Sequence, residues 1–550
     1  MFQAQGHHLR RWLLSVLWRT PLYRLSLWSW RQKPLALTLD GRNLRERPNP
    51  AGEAAVPSEP LPWEAPAVSL VRQAQLHGFS WLSALGTNEG ADVVPARLIL
   101  RAWLERYRRW DPVAWRADVM GQRLCFWIAY APLLAPPDDP LHRDFLSAIG
   151  RQTRHLHRTA HWEVSGIRRL QALRGLLAAQ LALRASDRRV DTVFRAIERE
   201  AGAQIRSDGG HIGRSPVLQL EALHQLTGVR EILDAAHVEV PEAIAAAIER
   251  TAIMLRFYRH GDGRLALFND SMEDDLAVID RVLTRSGVKA RPPASATLTG
   301  FERLQAGKSL VIMDCGAPPL ERFGGHPHAG TLSFELSHGR ERLIVNCGAY
   351  RGSSAQWLAA MRTTAAHSTL VVENTPSTEI DEAGHLGAGP RNVTRERMEE
   401  DGNHWVNASH DGYRVPFGLT HSRQLYLSAD GDDLRGEDRL VGRSGQSFAI
   451  RFHLHPQVQA SLTQDGSTAL LRLPSGVGWR LRSEGAVMSL AESVYLGAVT
   501  TRKSQQVVLE GHVGSQGATV KWAVRREGRR RPEAISTPVP ESREQPREHP

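Results

Sequence analysis

The sequence predicts a multidomain α+β protein in which a helical domain is followed by an antiparallel β-sandwich. Three observations support this fold class. The chain has 550 residues, which is too long for one hydrophobic core. The apolar residues repeat with a helical period from about 70 to 290, and short alternating segments replace them after the Pro-containing stretch at 291–294. Helices first and strands second indicate two successive domains rather than one α/β sheet.

The helical domain is predicted from the spacing of its leucines. One helix is indicated by Ile167, Leu170, Leu173, Leu177 and Leu181, and two more by 190–205 and 217–226. Short turns join these segments, as in repeated helix pairs. Such pairs form bundles, solenoids or closed toroids, and the periodicity alone does not choose among them.

The second domain is predicted from short alternating segments bounded by Gly, Asp and Asn. These segments are 309–313, 331–336, 342–345, 368–372, 421–427 and 469–473. Strands at this spacing without intervening helices favour a sandwich. We therefore divide the chain into an arm and Pro-rich linker (1–66), a helical domain (67–292), a β-sandwich (293–524) and a disordered tail rich in Arg, Glu and Pro (525–550).

The charge of +10 is concentrated in the arm. Residues 1–50 have a net charge of +7 and residues 525–550 have +2, so the body between them is nearly neutral. Bulk charge therefore does not argue for a polyanionic partner, and recognition of nucleic acid is not expected. No apolar run reaches the roughly 18–20 residues that span a bilayer. Three scattered cysteines predict neither a disulfide framework nor a thiolate zinc site.

The arm contains a basic, Trp-rich segment at residues 7–30. Leu9, Leu13, Val16 and Leu17 share one face of a predicted helix, which Pro21 interrupts. Arginines and tryptophans break up the apolar region that a secretory signal needs. Two interpretations remain open, namely peripheral contact with an anionic membrane and packing of the arm on its own protein.

The densest group of potentially reactive side chains lies between residues 314 and 374. His326 and His328 are two residues apart and share a face if the segment is extended, and His367 precedes a predicted strand. Imidazoles from separate segments form a zinc site when three or more donors converge. Histidines with structural hydrogen bonds are the alternative.

The motifs HPHAGTLSFEL, RLIVNCGAY and AAHSTLVVEN, in this order, resemble the C-terminal domain of the heparinase II/III-like polysaccharide lyases. The segments 208–226 and 408–427 also resemble this family, so that the similarity runs from about residue 70 to 525. The resemblance implies an incomplete (α/α) toroid followed by an antiparallel β-sandwich, with a substrate cleft between them. It also implies β-elimination on a uronate-containing polysaccharide such as heparan sulfate, another glycosaminoglycan or alginate.

That reaction requires a base for the C5 proton, an acid for the departing O4, and donors that offset the carboxylate charge. By resemblance, His326 is the catalytic histidine of the sandwich. His328 and His367 correspond to ligands of one structural Zn²⁺, whose third ligand falls on Asn346. The family usually has Asp at this position, and a neutral amide is a poorer zinc ligand than a carboxylate.

The toroid departs further from the family pattern. The family's tyrosine usually follows the RSP-like turn, where this chain has Val217 and Leu218. Two other side chains are therefore candidates for proton transfer, His211 and Tyr413; each is equally consistent with a structural role. Candidate substrate-binding residues are Arg214, Arg322 and His161, the arginines because a guanidinium binds a carboxylate or sulfate with two hydrogen bonds.

The leading hypothesis is a polysaccharide lyase that acts on an acidic glycan. A non-catalytic glycan-binding or envelope-assembly protein of the same fold is the alternative, motivated by Val217, Leu218 and Asn346. A glycoside hydrolase is a further alternative, because Asp208, Glu221, Asp274 and Asp275 supply carboxylates. The resemblance implies the cell envelope or periplasm, without a clear export signal, and the sequence leaves the cytoplasm and the oligomeric state open.

Overall fold

The structure is a computed structural model. It describes residues 14–27, 37, 39, 44–45, 56–57, 63, 69–86, 92–320, 325–381, 384–498 and 500–528. Most of the predicted linker and the tail from 529 onward lie outside the described residues. Within the described ranges, no helix combines the length and the apolar character needed to cross a membrane.

The first domain is helical, as predicted. After the arm its helices are α3 (Leu70–Gly78), α4 (Val94–Arg106), α5 (Ala117–Leu134), α6 (His142–Thr159), α7 (Ile167–Ala182), α8 (Asp187–Gln204), α9 (Pro216–Ala235), α10 (Glu242–Phe257) and α11 (Leu276–Ser286), with a 3₁₀ turn at Ser80–Leu85. Helix α7 packs against α8, the next helix in the chain, and against α5 and α9, which are two helices away on either side. Glycines allow the closest approach, since a β-carbon on Gly175 would lie 2.0 Å from the carbonyl oxygen of Gly121.

The described part of the arm packs on its own protein. Residues 14–19 form helix α1, which is followed by α2 (Pro21–Ser26). Trp18 and Tyr23 are buried, and the Tyr23 hydroxyl lies 2.8 Å from Nδ1 of His155 on α6. This confirms packing as one role of the arm, and membrane contact stays a prediction.

The second domain consists of two antiparallel sheets. The nine-stranded sheet runs in the order β1-β2-β3-β4-β5-β11-β16-β15, with β6 also paired to β11, and the eight-stranded sheet runs β12-β13-β14-β17-β10-β9-β8-β7. The strands are β1 (Ser295–Ala296), β2 (Phe301–Ala306), β3 (Ser309–Asp314), β4 (Phe334–His338), β5 (Glu341–Val345), β6 (Leu370–Val372), β7 (Val393–Glu400), β8 (Asn403–His410), β9 (Leu419–Leu427), β10 (Asp433–Gly442), β11 (Ser447–Leu454), β12 (Gln459–Leu462), β13 (Thr468–Arg472), β14 (Gly478–Glu484), β15 (Val487–Tyr495), β16 (Arg502–His512) and β17 (Ala518–Arg526). Two short helices, α12 (Ala355–Arg362) and α13 (Arg414–Phe417), interrupt them.

The two sheets enclose an apolar core that contains a buried polar cluster around Asp438. Asp438 accepts hydrogen bonds from Arg423, from the indole nitrogen of Trp522 and from His421. Burial opposes ionisation of Asp438, but these partners hold its pKa below the usual range.

Several boundaries differ from the prediction, and two of these differences have a local cause. Strand β4 begins at Phe334 rather than at Thr331, because Leu332 has a φ of +64° and the backbone turns there. Strand β17 continues to Arg526, past the predicted boundary at 524, because Arg525 and Arg526 pair with β10 and β14.

Candidate functional site

The helical domain and the sandwich meet around the guanidinium of Arg214. This side chain is 4% exposed and donates hydrogen bonds to the carbonyl oxygens of Thr299 (2.7 Å), Gly300 (3.1 Å) and Ala317 (2.5 Å). It also forms an ion pair with buried Asp314 of β3. The prediction that Arg214 binds substrate is wrong, because its donors are used to hold the two domains together.

Asp208 makes a second contact across the same boundary. Its carboxylate accepts hydrogen bonds from the main-chain nitrogens of Leu298 (2.8 Å) and Thr299 (2.6 Å) and from the Thr299 hydroxyl (2.7 Å). Gly210 is required beside it, since a β-carbon there would lie 1.8 Å from the Thr299 hydroxyl oxygen. The turn between α8 and α9 therefore binds the backbone at Leu298 and Thr299, just before β2 of the sandwich.

The loop between α10 and α11 positions the predicted histidines. Asn269 and Asp270 both have positive φ, at +45° and +63°. The Asn269 amide donates to the carbonyl oxygen of Arg214 (3.1 Å), and its oxygen accepts from the main-chain nitrogen of His328 (3.2 Å). Asp270 accepts from the main-chain nitrogen of His326 (3.1 Å). The His326–His328 segment of the sandwich thus rests on a loop of the helical domain.

The His326 side chain is exposed at this junction. Asp270, which binds the His326 backbone, also binds the guanidinium of Arg351. Arg351 is 45% exposed and donates to both carboxylate oxygens of Asp270 at 2.9 Å. Asp270 therefore holds the backbone of His326 and the guanidinium of Arg351 on one surface. We call His326, Asp270 and Arg351 the junction site.

Leu218 occupies part of the space beside the junction site. A β-carbon on Gly325 would lie 3.2 Å from its Cδ1, and one on Gly213 would lie 2.7 Å from the same atom. Leu218 belongs to the first turn of α9, where the family resemblance leads us to expect tyrosine. An aliphatic side chain thus lies where a proton donor is expected.

His211 is buried and does not face the junction site as a free base. Its Nε2 lies 3.1 Å from Oε1 of Gln204, and its Nδ1 accepts a hydrogen bond from the main-chain nitrogen of Gly213 (3.0 Å). Burial lowers its pKa to about 3, so the ring is neutral at neutral pH. These contacts give no support to the prediction of catalysis by His211, because both ring nitrogens are engaged inside the protein, and the ring braces the turn.

Tyr413 is a core residue. It is fully buried, its hydroxyl donates to the carbonyl oxygen of Leu370 (3.0 Å), and burial raises its pKa. This contradicts the prediction that Tyr413 transfers protons. His161 is exposed in the turn after α6 next to Trp162, whose ring contacts Trp18 of the arm, and Arg322 lies outside the described residues.

The structure brings two of the three predicted metal ligands together. His328 Nδ1 and His367 Nε2 are 3.1 Å apart, and His367 Nδ1 lies 2.8 Å from the carbonyl oxygen of Thr363. Burial lowers the pKa of both rings, to about 4 for His367. Because a carbonyl only accepts, His367 carries its proton on Nδ1, and His328 Nδ1 then donates to the bare Nε2. The two imidazoles satisfy each other.

The third predicted ligand, Asn346, does not complete a zinc site. Its Oδ1 accepts a hydrogen bond from the main-chain nitrogen of Ser368 (2.9 Å), whereas its buried Nδ2 has no hydrogen-bond partner in the part of the chain that the structure describes. An amide nitrogen is not a zinc ligand, and the set lacks an anionic donor. Across the described ranges, no group of three or more His, Cys, Asp or Glu side chains is arranged to hold a metal. These residues do not fit the zinc that the resemblance implies.

We did not predict Asn269, which positions the junction site, or Asp270 and Arg351, which belong to it. One signal was available for the first two, since Asn and Asp are the residues that most readily adopt positive φ after glycine. Arg351 carried no signal, because most arginines of a chain this rich in them are solvated.

We expect the purified protein to contain no stoichiometric zinc, and Asn346→Asp to create a site. The substitution replaces the unpaired amide nitrogen with a carboxylate oxygen, which converts the donor set to two imidazoles and an anion. Zinc at about 100 times its Kd would then stabilise the variant by about 2.7 kcal/mol. Metal analysis after dialysis and thermal unfolding with and without chelator measure both effects. Asn346→Asp combined with His367→Ala is the matched control, and one chelator-removable zinc in the unsubstituted protein would contradict the expectation.

Comparison with known proteins identifies the family. Residues 288–523 match the model described as "Heparinase II/III-like, C-terminal". A relative over nearly the whole chain is the FtsZ-localized protein C of Caulobacter vibrioides, which is 30% identical over 506 residues that cover 88% of this chain and 86% of the relative.

The solved structures share the fold. Heparinase III superimposes with a TM-score of 0.68 at 15% identity, over 84% of this chain and 79% of the other. The heparan sulfate lyase HepC of Pedobacter heparinus gives 0.63 at 17% identity, over 93% and 88%. This confirms an α/α toroid followed by a β-sandwich. The chain therefore belongs to the heparinase II/III-like family.

Proposed function

We propose that the junction site binds an acidic, uronate-containing glycan, and that this chain lacks the complete proton-transfer machinery for β-elimination. The observation that carries the proposal is that Asp270, at the boundary between the two domains, binds both the backbone of His326, whose side chain is exposed, and the half-exposed guanidinium of Arg351. The matched lyase of Pedobacter heparinus is named for heparan sulfate, which is a glycan of this chemical class.

The chemistry of the junction site suits a carboxylate or sulfate. Arg351 presents a planar cation near the surface, and such groups bind planar anions through paired hydrogen bonds. The exposed ring of His326 supplies a further polar contact for a sugar hydroxyl or carboxylate. Asp270 neutralises part of the cation, so the site is expected to bind its ligand with modest affinity.

Elimination needs more than binding. It requires a base for C5 and an acid for O4, in the same cleft. Leu218 provides no proton at the tyrosine position, and the buried rings of His211 and Tyr413 are bonded within the protein. Nor do the carboxylates considered for hydrolysis form a free pair, since Asp208 and Asp275 are engaged by main-chain nitrogens.

A second candidate is slow β-elimination with His326 as the base. One observation favours it, namely that the His326 ring is exposed and that Asp270, which binds the His326 backbone, also binds Arg351, a cation able to offset the substrate carboxylate. The two candidates differ in the product, because elimination forms an unsaturated uronate that absorbs in the near ultraviolet.

Titration with a panel of heparan sulfate, chondroitin sulfate and alginate oligosaccharides is expected to give saturable binding without that absorbance. Arg351→Met is expected to weaken binding roughly tenfold to hundredfold, because a hydrogen bond to a charged group contributes about 1.5–3 kcal/mol. Arg351→Lys keeps the charge and is expected to retain part of the affinity. Calorimetry measures binding, and thermal unfolding of each variant controls for folding.

Two results would contradict the binding proposal. Absence of binding across the panel is the first, and equal affinity of Arg351→Met and the unsubstituted protein is the second. An unsaturated product that disappears in His326→Ala would establish the second candidate instead.

We also infer that this chain shares the location for which its relative is named. The inference is supported by 30% identity over 88% of this chain to a protein described as FtsZ-localized. The expectation of an envelope or periplasmic location stays untested beside it.

A fluorescent fusion of the full chain, imaged in the cell that encodes it, is expected to coincide with FtsZ. The similarity to the relative spans both domains, so a fusion of the sandwich alone is a useful comparison. Uniform fluorescence of a stable full-length fusion would contradict the inference.

A further inference from the structure

A cavity of about 540 Å³ lies between the arm and helices of the toroid. We call it the arm cavity. It is separate from the junction site in the residues that line it, which come from the two arm helices, the turn between α4 and α5, and α6. Its volume is in the range of pockets that hold a small organic ligand.

One wall of the arm cavity is aromatic. The wall contains Trp18 and Tyr23 of the arm and Trp110 and Trp115 of the toroid. The Trp18 ring centroid lies 5.6 Å from that of Trp110 and 6.3 Å from that of Tyr23, so the rings form a continuous surface. Leu27 extends the apolar surface. Such a wall favours an apolar portion of a ligand.

The lining also carries three cations. These are Arg108, Arg143 and Arg151, of which Arg151 also donates to the Ser147 hydroxyl at 2.9 Å. Asp144 is the one acid among the described lining residues. The next arginine along α6, Arg154, has a pKa lowered to about 10 by burial and then by repulsion from Arg151 and other arginines. The described lining of the arm cavity therefore carries more positive than negative charge, and a bound anion would reduce the repulsion between the arginines.

The outer face of the arm is apolar next to the cavity. Leu22 is 77% exposed and Leu25, which also lines the cavity, is 53% exposed; Val16 and Leu17 are each about half exposed. Leu25 thus gives an apolar path from the cavity to the exposed face of the arm, which also carries the other three side chains. A ligand with an apolar tail fits this path, whereas a polysaccharide has no such tail.

We propose that the arm cavity binds one anionic amphiphile, with a phosphate or carboxylate headgroup at the arginines and an acyl chain along the aromatic wall. The proposal is independent of glycan binding at the junction site. A free acyl phosphate or carboxylate and a phospholipid in a membrane are the two sources of this chemistry.

The test uses the full chain and a short-chain phosphatidic acid below its micelle concentration, followed by tryptophan fluorescence. Saturable binding is expected, with at least tenfold weaker binding of the short-chain phosphatidylcholine. The double variant Arg143→Gln/Arg151→Gln is expected to lose at least tenfold in affinity. Trp110→Phe replaces the indole of the aromatic wall with a smaller ring, and it is expected to lose about fivefold, the equivalent of about 1 kcal/mol.

Arg101→Gln, on the exposed side of α4, is the matched control and is expected to bind as the unsubstituted protein does. Co-sedimentation with phosphatidylcholine vesicles, with and without phosphatidic acid, then identifies the source. Binding to both the soluble lipid and the anionic vesicles supports a membrane source, and binding to the soluble lipid alone supports a free ligand. Three results would overturn the proposal: no saturable binding of the soluble lipid, equal binding of the zwitterionic lipid, or unchanged affinity in a folded double variant.

Discussion

The ion pair between Arg214 and Asp314 is the contact on which the arrangement of the two domains depends. Both side chains are nearly fully buried, where a charge without partners would be strongly unfavourable. Burial raises the pKa of Asp314, and the guanidinium opposes this effect. Three carbonyl oxygens accept the remaining hydrogen bonds of Arg214. The pair is therefore stable only when the toroid turn and the start of the sandwich are both in place.

Elsewhere at the junction, buried polar side chains of one domain also form hydrogen bonds or ion pairs with side chains of the other domain. Arg342 of β5 donates to Asp262 of the toroid, and His260 lies 2.9 Å from Glu335 of β4. The Tyr495 hydroxyl donates to Glu273, whose pKa is about 2 because His455, Arg342 and this hydroxyl outweigh the effect of burial. These contacts fix the loop that carries Asn269 and Asp270, and the loop in turn fixes the position of His326. The junction site is thus formed by residues that neither domain has alone.

The fold class and the order of the domains were predictable because helical and strand periods are local properties of the chain. The convergence of His328 and His367 was also predictable, since their motifs carry the family pattern. The roles of Arg214, His211 and Tyr413 were not, because burial and hydrogen-bond partners come from segments distant in the sequence. Arg214, for instance, bonds residues that are 85 to 103 positions away. A charged residue in a turn suggests a solvent-facing role. Arg214 is buried only because the second domain packs against this turn.

The most direct measurement is hydrogen exchange and unfolding of Arg214→Met, with Arg101→Met as the control. Removing one partner of a buried ion pair costs about 3–5 kcal/mol, so the unfolding transition is expected to shift to lower denaturant. The amides of His326 and His328, which donate to Asp270 and Asn269, are expected to exchange faster in the variant and at the normal rate in the control. An Arg214→Met protein with unchanged stability and unchanged protection of those two amides would contradict the account of the junction.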